Sequence, residues 1–249
     1  MSEPIFITPQ WPAPCNVKAL QSTRLGGVSV GGFAGLNLGD HVNDNLEHVA
    51  QNRVLFEQNL PQPALWLKQV HSTVVVNEEQ AATTPAADAS YTRLKNQVCT
   101  VMTADCLPVL FCNASGTQVA AAHAGWRGLV NGVLEETLNT FKDSPQAIMA
   151  WLGPAIGPTQ FEVGQGVDDA FCAQNSQAHS AFKKVTNSDT LNEQKWLADL
   201  YALARLRLKE YGVEGVYGGD FCTYNDEARF FSFRRDNSCG RMASSIWLE

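Results

Sequence analysis

Apolar runs crowd the stretch from Leu65 to Ala122, divided from one another by a few polar or small residues. Leu65 to Asn77, Ala89 to Arg93, Val98 to Met102, Leu107 to Cys112 and Gln118 to Ala122 therefore read as buried strands, so the middle of the chain must build sheet. Three runs turn reactive where they end. LWLKQVH closes on His71, VCTVMTADC on Cys106, and QVAAAH runs into His123, with Gly125 and a new helix directly after it.

Helical patterns flank this core. A short strand is expected near Val17 to Thr23, and then the Gly-dense segment RLGGVSVGGFAGLNLGD, whose glycines let backbone approach a ligand or turn at a surface. Asn43 is placed to cap a helix over DNLEHVAQNRVLFEQNL, with Leu46, Val49, Arg53 and Phe56 at helical spacing. GWRGLVNGVLEETLNTF reads as one helix with Leu129, Val133, Thr137 and Phe141 on its sheet-facing side and Leu134 and Leu138 beside them. IMAWLGPAIGP reads as a strand entering a turn. KWLADLYALARLRLKEYGV reads as an amphipathic helix ending at Gly212, with Leu197, Leu200, Leu203 or Ala204, and Leu208 as its stripe. VEGVYGG, ARFFSFRR and ASSIWL supply three further strand candidates. Strands at both ends with irregularly spaced helices predict a mixed α/β (α+β) sandwich. The regular alternation of a doubly wound domain is missing, as are GxGxxG and P-loop signatures.

A chain of 249 residues that is 45% hydrophobic fits one domain over 1–249, because no linker, repeat or low-complexity tract divides it. Its formal charge of −7 argues against a nucleic-acid partner. The compact basic groups, Arg205/Arg207/Lys209 and Arg234/Arg235, read as solvated faces. No segment approaches the roughly 20 apolar residues of a membrane span, and MSEPIFITPQ lacks the basic start of a signal peptide. Seven cysteines, an odd number without a regular framework, suit reduced thiols and a cytoplasmic address.

A neutral imidazole pair and a thiolate make a metal-ligand set, and Zn²⁺ in catalytic sites characteristically takes three protein ligands and keeps one position open. From spacing alone, His71, Cys106 and His123 also read as packed side chains, since cysteine is among the most buried residue types and a lone histidine is usually structural. The helix start at Gly125, Trp126 and Arg127 adds a place for an anion next to this trio.

The segments TRLGGVS, LNLGDHV, KQVHS, TADCLPVLF, AAHAGWRG, LGPAIGP, DFCTY and FFSFRRD…GRMAS, in order from about Thr23 to Trp247, resemble the YfiH-type, laccase-domain family. The family has been described both as multicopper polyphenol oxidases and as purine nucleoside phosphorylases. The resemblance implies a four-layer α/β sandwich related to cytotoxic necrotizing factor. It also implies a Zn²⁺ or copper site on His71, Cys106 and His123. The activity it implies is phosphorolysis of adenosine, inosine and S-methyl-5′-thioadenosine by inorganic phosphate, with adenosine deamination beside it.

On this reading Arg24, in the Gly-rich loop, and Arg127 clamp phosphate with their planar donor forks, and Gln69 is a further contact near His71. Asp105 is either the acid that helps the purine leave or a turn residue that orients a ligand, and Cys222 is either a catalytic thiol or packing. Deamination would instead use water activated by the metal against C6 of the purine. Two other chemistries fit the same trio. A copper-dependent polyphenol oxidase fits the His₂Cys set, although five histidines in the whole chain are few for multicopper oxygen reduction. A cysteine-type hydrolase acting on cell-wall precursor peptides would use Cys106 as nucleophile and His123 as base, leaving His71 unexplained.

Overall fold

The computed structural model describes residues 5–80, 84–185 and 194–249. Among these, the strands form three sheets. A four-stranded antiparallel sheet runs in the order β1 (Phe6–Ile7), β2 (Val17–Ser22), β13 (Met242–Leu248), β5 (Val98–Thr103). A six-stranded sheet follows the order β12 (Gly215–Gly218), β8 (Ile148–Leu152), β6 (Leu107–Asn113), β7 (Val119–Ala124), β4 (Ala89–Thr92), β3 (Val75–Asn77). Its two outer pairs are parallel and its inner pairs antiparallel. The third sheet is small and antiparallel: β10 (Phe182–Lys184), β11 (Lys195–Ala198) and β9 (Glu162–Gly164).

Two faces of the six-stranded sheet explain why its central strands read as unbroken apolar runs. Leu110, Cys112, Val119 and Ala121 pack toward Val101, Ile246 and Leu248 of the four-stranded sheet. Their neighbours along the strands, Val109, Phe111, Ala120 and Ala122, face the helices α2 (Trp126–Asn131), α3 (Val133–Leu138) and α5 (Leu200–Tyr211). Alternate residues of a strand point to opposite faces, so burial of both faces removes the polar half of the pattern. On the far side of the four-stranded sheet, α1 (Leu46–Glu57) lays Phe56 against Leu36, Leu38 and Ala243. The order is thus helix, sheet, sheet, helices, a four-layer mixed α/β sandwich.

Several local expectations are corrected. The expected strand from Leu65 is ordered only at Val75–Asn77. Before it the chain makes single bridges, Leu65 to Cys99 and Lys68 to Ala86, because its amides near His71 turn to a side chain instead of a neighbouring strand. The cap of α1 is Asn45, whose side chain accepts from the Glu47 N–H, while Asn43 sits at φ 68° outside the helix. Leu46 is exposed, and the buried face is Val49, Asn52 and Phe56.

The single helix after His123 is two, α2 and α3, broken at Gly132 with φ 102°. Its apolar stripe is nonetheless buried as expected: Leu129, Val133, Leu134, Thr137, Leu138 and Phe141. Leu197 belongs to β11, and α5 begins only after Asp199, whose carboxylate caps the Ala202 N–H. ARFFSFRR is not a strand: Phe230 and Phe231 are fully buried in a loop, and Ser232 caps the short helix α6 (Phe233–Asp236). α4 (Gln165–Cys172) completes the α-helices among the described residues.

Candidate metal centre

Sheet register does most of the assembly. Ala89 opposes Ala122 in the antiparallel β4–β7 pair, which sets Asp88 across from His123. Leu107 opposes Ala124 in the β6–β7 pair, which sets Cys106 across from Gly125. His71 comes from the loop that leads to β3. It holds φ 60°, an uncommon backbone for a residue with a side chain.

Asp88 is what keeps that loop in place. Fully buried, it accepts the N–H of Val70 at 3.2 Å, of His71 at 3.0 Å and of Ser72 at 2.6 Å, and the Ser72 hydroxyl at 2.7 Å. Its Oδ1 also meets His123 Nδ1 at 2.8 Å, and its own carbonyl takes the His123 N–H at 2.7 Å. One carboxylate therefore collects three successive amides of the His71 loop and orients the His123 ring. With Nδ1 engaged, Nε2 is the nitrogen left for the site.

The donors converge. His71 Nε2 lies 3.7 Å from Cys106 Sγ, the two imidazole rings stand edge to face with centroids 4.8 Å apart, and one donor atom from each of His71, Cys106 and His123 falls within 4.8 Å of the others. Tetrahedral Zn²⁺ with bonds of about 2.0 Å to nitrogen and about 2.3 Å to sulfur separates its ligand atoms by about 3.5 Å, so this spacing fits a metal ion. Gly125 keeps the space clear: a Cβ there would stand 2.6 Å from His71 Cδ2, 3.0 Å from its Nε2 and 3.1 Å from Cys106 Sγ.

Charge is arranged to match. Burial pushes the Cys106 thiol up, but the His123 charge and hydrogen bonds from His123 and His71 outweigh it and bring the thiol down to about 6. Burial pushes His123 down, while the Cys106 charge and the Asp88 hydrogen bond raise it to about 9. Asp88, disfavoured as a charge by burial, is held down at about 2 by hydrogen bonds from His123 and Ser72. Without metal, the neutral-pH site is a thiolate beside an imidazolium backed by a carboxylate.

The other expected residues make contacts of their own. Asp105, at φ 83°, forms the turn before Cys106. Its two carboxylate oxygens accept the Thr223 hydroxyl and the Arg234 N–H, both at 2.6 Å, and its carbonyl takes the Ile156 N–H at 3.0 Å. Gln69 is paired on both sides with the Met102 backbone, donating to the carbonyl and accepting the N–H at 2.7 Å each. The Arg24 guanidinium stacks 4.7 Å from the Phe231 ring and donates to the carbonyls of Glu227 and Ala34. Arg127 is exposed and lies over Trp126 at 4.5 Å. Cys222 accepts the Gly157 N–H at 3.2 Å and lines an open concavity with Asp220, Phe221, Asn225, Asp226 and Arg229. The Asp105–Thr223 hydrogen bond joins that concavity to the Cys106 turn.

Sequence reasoning missed Asp88, Ser72 and the space-keeping role of Gly125. A lone acid leading straight into the buried strand ASYT was the available signal for Asp88.

This arrangement sits in a chain whose residues 18–249 match the family described as multi-copper polyphenol oxidoreductase laccase. The chain belongs to this laccase-domain family. Among its relatives, the Escherichia coli purine nucleoside phosphorylase YfiH is 54% identical over 98% of both chains, and the Haemophilus influenzae purine nucleoside phosphorylase is 49% identical over 98% of this chain and 99% of that one. The laccase-domain fold is shared with a Neisseria meningitidis protein of known crystal structure, at a TM-score of 0.93 and 55% identity, covering 98% of this chain and 99% of that one. YlmD from Geobacillus stearothermophilus superposes at 0.80 with 30% identity, over 96% and 94% of the two chains.

Proposed function

We propose that the protein is a zinc-dependent purine nucleoside phosphorylase acting on adenosine, inosine and S-methyl-5′-thioadenosine, with His71, Cys106 and His123 as its metal ligands. The observation that carries the reading is its 54% identity, over nearly the full length, to a relative named for that activity. The convergence of three metal donors supports the ligand assignment. Bound there, Zn²⁺ would supply a Lewis acid at a position with one coordination site open to substrate.

The chain's own residues divide the remaining work. Asp88 fixes the His123 tautomer and the His71 loop, so the ligands are held before the ion arrives. Arg127, exposed two residues beyond Gly125, is our choice for the phosphate contact. Arg24 already spends its guanidinium on two carbonyls and a ring, which suits holding the Gly-rich loop against the 226–229 segment. Asp105 has both oxygens occupied and acts by shaping the Cys106 turn. The concavity beside Cys222 offers the Phe221 ring to a purine and polar side chains to a ribose. A cytoplasmic address accords with seven free cysteines and with no described helix long and apolar enough to cross a membrane.

One observation favours a second reading. In the metal-free state Cys106, His123 and Asp88 stand as nucleophile, base and orienting acid, the arrangement of a cysteine hydrolase, for which cell-wall precursor peptides are the substrate we would test. The deciding experiment purifies the protein without added metal, quantifies zinc and copper, and follows adenosine with and without phosphate by product chromatography. Phosphate-dependent adenine with ribose 1-phosphate is the expected result. Phosphate-independent inosine would show deamination. Turnover of none of the three nucleosides, with zinc bound, would overturn the phosphorylase reading, and copper with phenol oxidation would replace it by the oxidase.

A further inference from the structure

A second group of metal donors lies on other elements. Asp168 and Cys172 are one helical turn apart on α4, and His179 comes from the 3-10 turn Ser176–Ala181 that follows. His179 Nδ1 is 3.0 Å from Asp168 Oδ1, Cys172 Sγ is 3.2 Å from the same oxygen, and one donor atom from each of the three residues lies within 4.8 Å of the others. The ring of His179 is held in place: Trp196 packs edge to face with it at 5.2 Å between centroids, and the Trp196 indole N–H donates to Gln165 Oε1 at 2.8 Å. Gln165 in turn donates to Asp168 Oδ2 at 3.2 Å.

We infer that Asp168, Cys172 and His179 form a second site for a borderline-soft divalent cation, Zn²⁺ before others, with the fourth position left to water. The carboxylate is buried, at 4% exposure, and its side-chain partners among the described residues are an amide, a thiol and an imidazole. A buried carboxylate is costly without a compensating cation, and here two hydrogens from potential ligands crowd one oxygen. An entering ion takes their place. The Cys172 thiol proton leaves to solvent, His179 binds through Nδ1 as the neutral ring with its proton on Nε2, and Asp168 binds through Oδ1.

The separations of 3.0 and 3.2 Å need open only by a few tenths of an ångström to reach the roughly 3.3–3.6 Å edges of a tetrahedral N/O/S site. Exposure of the His179 side chain, at 58%, allows that movement. Calcium and magnesium are excluded by the donor set, because they take oxygen ligands and this site offers one carboxylate beside sulfur and nitrogen. Occupied, the site would pin the Ser176–Ala181 turn to α4.

The test separates this site from the His71, Cys106 and His123 centre by working in Cys106→Ala protein. Stripped protein is titrated with Co²⁺ alone, and a thiolate-to-cobalt charge-transfer absorption is expected that disappears when Cys172→Ser is added. In parallel, the zinc content of zinc-loaded, desalted wild type should fall by one ion per chain in the Cys172→Ser, His179→Asn variant. Circular dichroism checks the fold of both variants, and serine still offers a hydroxyl donor to Asp168. Equal zinc content in wild type and the double variant, or no cobalt absorption dependent on Cys172, overturns the second site. A failure of the first site would appear separately, as unchanged zinc content on Cys106→Ala.

Discussion

Replacing Asp88 by Asn is the sharpest perturbation the structure offers, because it keeps the shape and removes the acceptor on which two of the three proposed ligands depend. Oδ1 takes the His71 N–H and His123 Nδ1, and Oδ2 takes the Val70 N–H, the Ser72 N–H and the Ser72 hydroxyl. An amide has one acceptor oxygen, so its NH₂ must oppose donors on one side whichever way it turns. If it turns toward His71 and His123, two bonds to a charged group are lost, each worth about 1.5–3 kcal/mol. Against the effect of burial, the same bonds hold the Asp88 carboxyl down to about 2, so the pKa shift points in the same direction. A loss of about 3 kcal/mol is expected, or a melting temperature lower by about 6–12 °C for a chain of this size.

The larger effect falls on metal. An amide donating to His123 Nδ1 moves the ring proton to Nε2 and removes that nitrogen as a ligand, so zinc affinity should fall by at least the 10–100-fold typical of partners that orient a ligand. Competition titration of stripped Asp88→Asn protein against a zinc chelator, with melting curves of the zinc-free forms, measures both quantities. Zinc affinity within about threefold of wild type, together with an unchanged melt, would refute the claim that Asp88 organises the centre.

Gly125→Ala should fold, since its φ of −61° suits any residue, yet lose zinc at least tenfold because the added methyl occupies the space beside His71 and Cys106; wild-type zinc content would show the space to be dispensable. In metal-free protein Cys106 should alkylate with a midpoint near pH 6, and His123→Ala should move that midpoint upward; a wild-type midpoint near the ordinary value of about 8.5 would rule out the ion pair. Glu78 has a buried Oε2 without a hydrogen-bond partner among the described residues, and burial pushes its carboxyl up to about 7. The folded state thus binds this proton more tightly than the unfolded chain, and stability falls as pH rises from about 4.5 to about 7 and stays reduced above that. Glu78→Gln should raise the melting temperature at pH 8 and leave it nearly unchanged at pH 4.5; equal shifts at both would remove the titration as the cause.

What could be read from sequence follows from where burial is continuous. Val98–Thr103 and Leu107–Asn113 are buried throughout, and their apolar character marks them as strands without help from alternation. The segment leading into His71 carries similar composition but no ladder, because the amides of Val70, His71 and Ser72 go to the carboxylate of Asp88, and periodicity says nothing of such a partner. Gly132 sits within an otherwise regular apolar stripe, so the break between α2 and α3 is hidden by the burial that both halves share. Phe230 and Phe231 read as a strand because their apolar payload is real, although a loop buries it. Cys106 and His71 are 35 residues apart, and only resemblance to a family brought them together before the fold did.

The same geometry makes metal binding and nucleophilic catalysis alternatives of one donor set, and His71 is the residue that separates them. Asp88, His123 and Cys106 suffice for a thiolate and its base, and nothing in that chemistry requires a second imidazole 3.7 Å from the sulfur. Holding His71 there demands a left-handed backbone, a strain of about 1–3 kcal/mol, and three amide hydrogen bonds into one buried carboxylate to offset it. A hydrolase would gain from His71 only one further contact that favours the Cys106 thiolate, beside the larger effect of His123. A three-ligand metal site needs it, because two donors leave an ion weakly held and poorly oriented. The strained loop is therefore the strongest structural argument for metal at this centre.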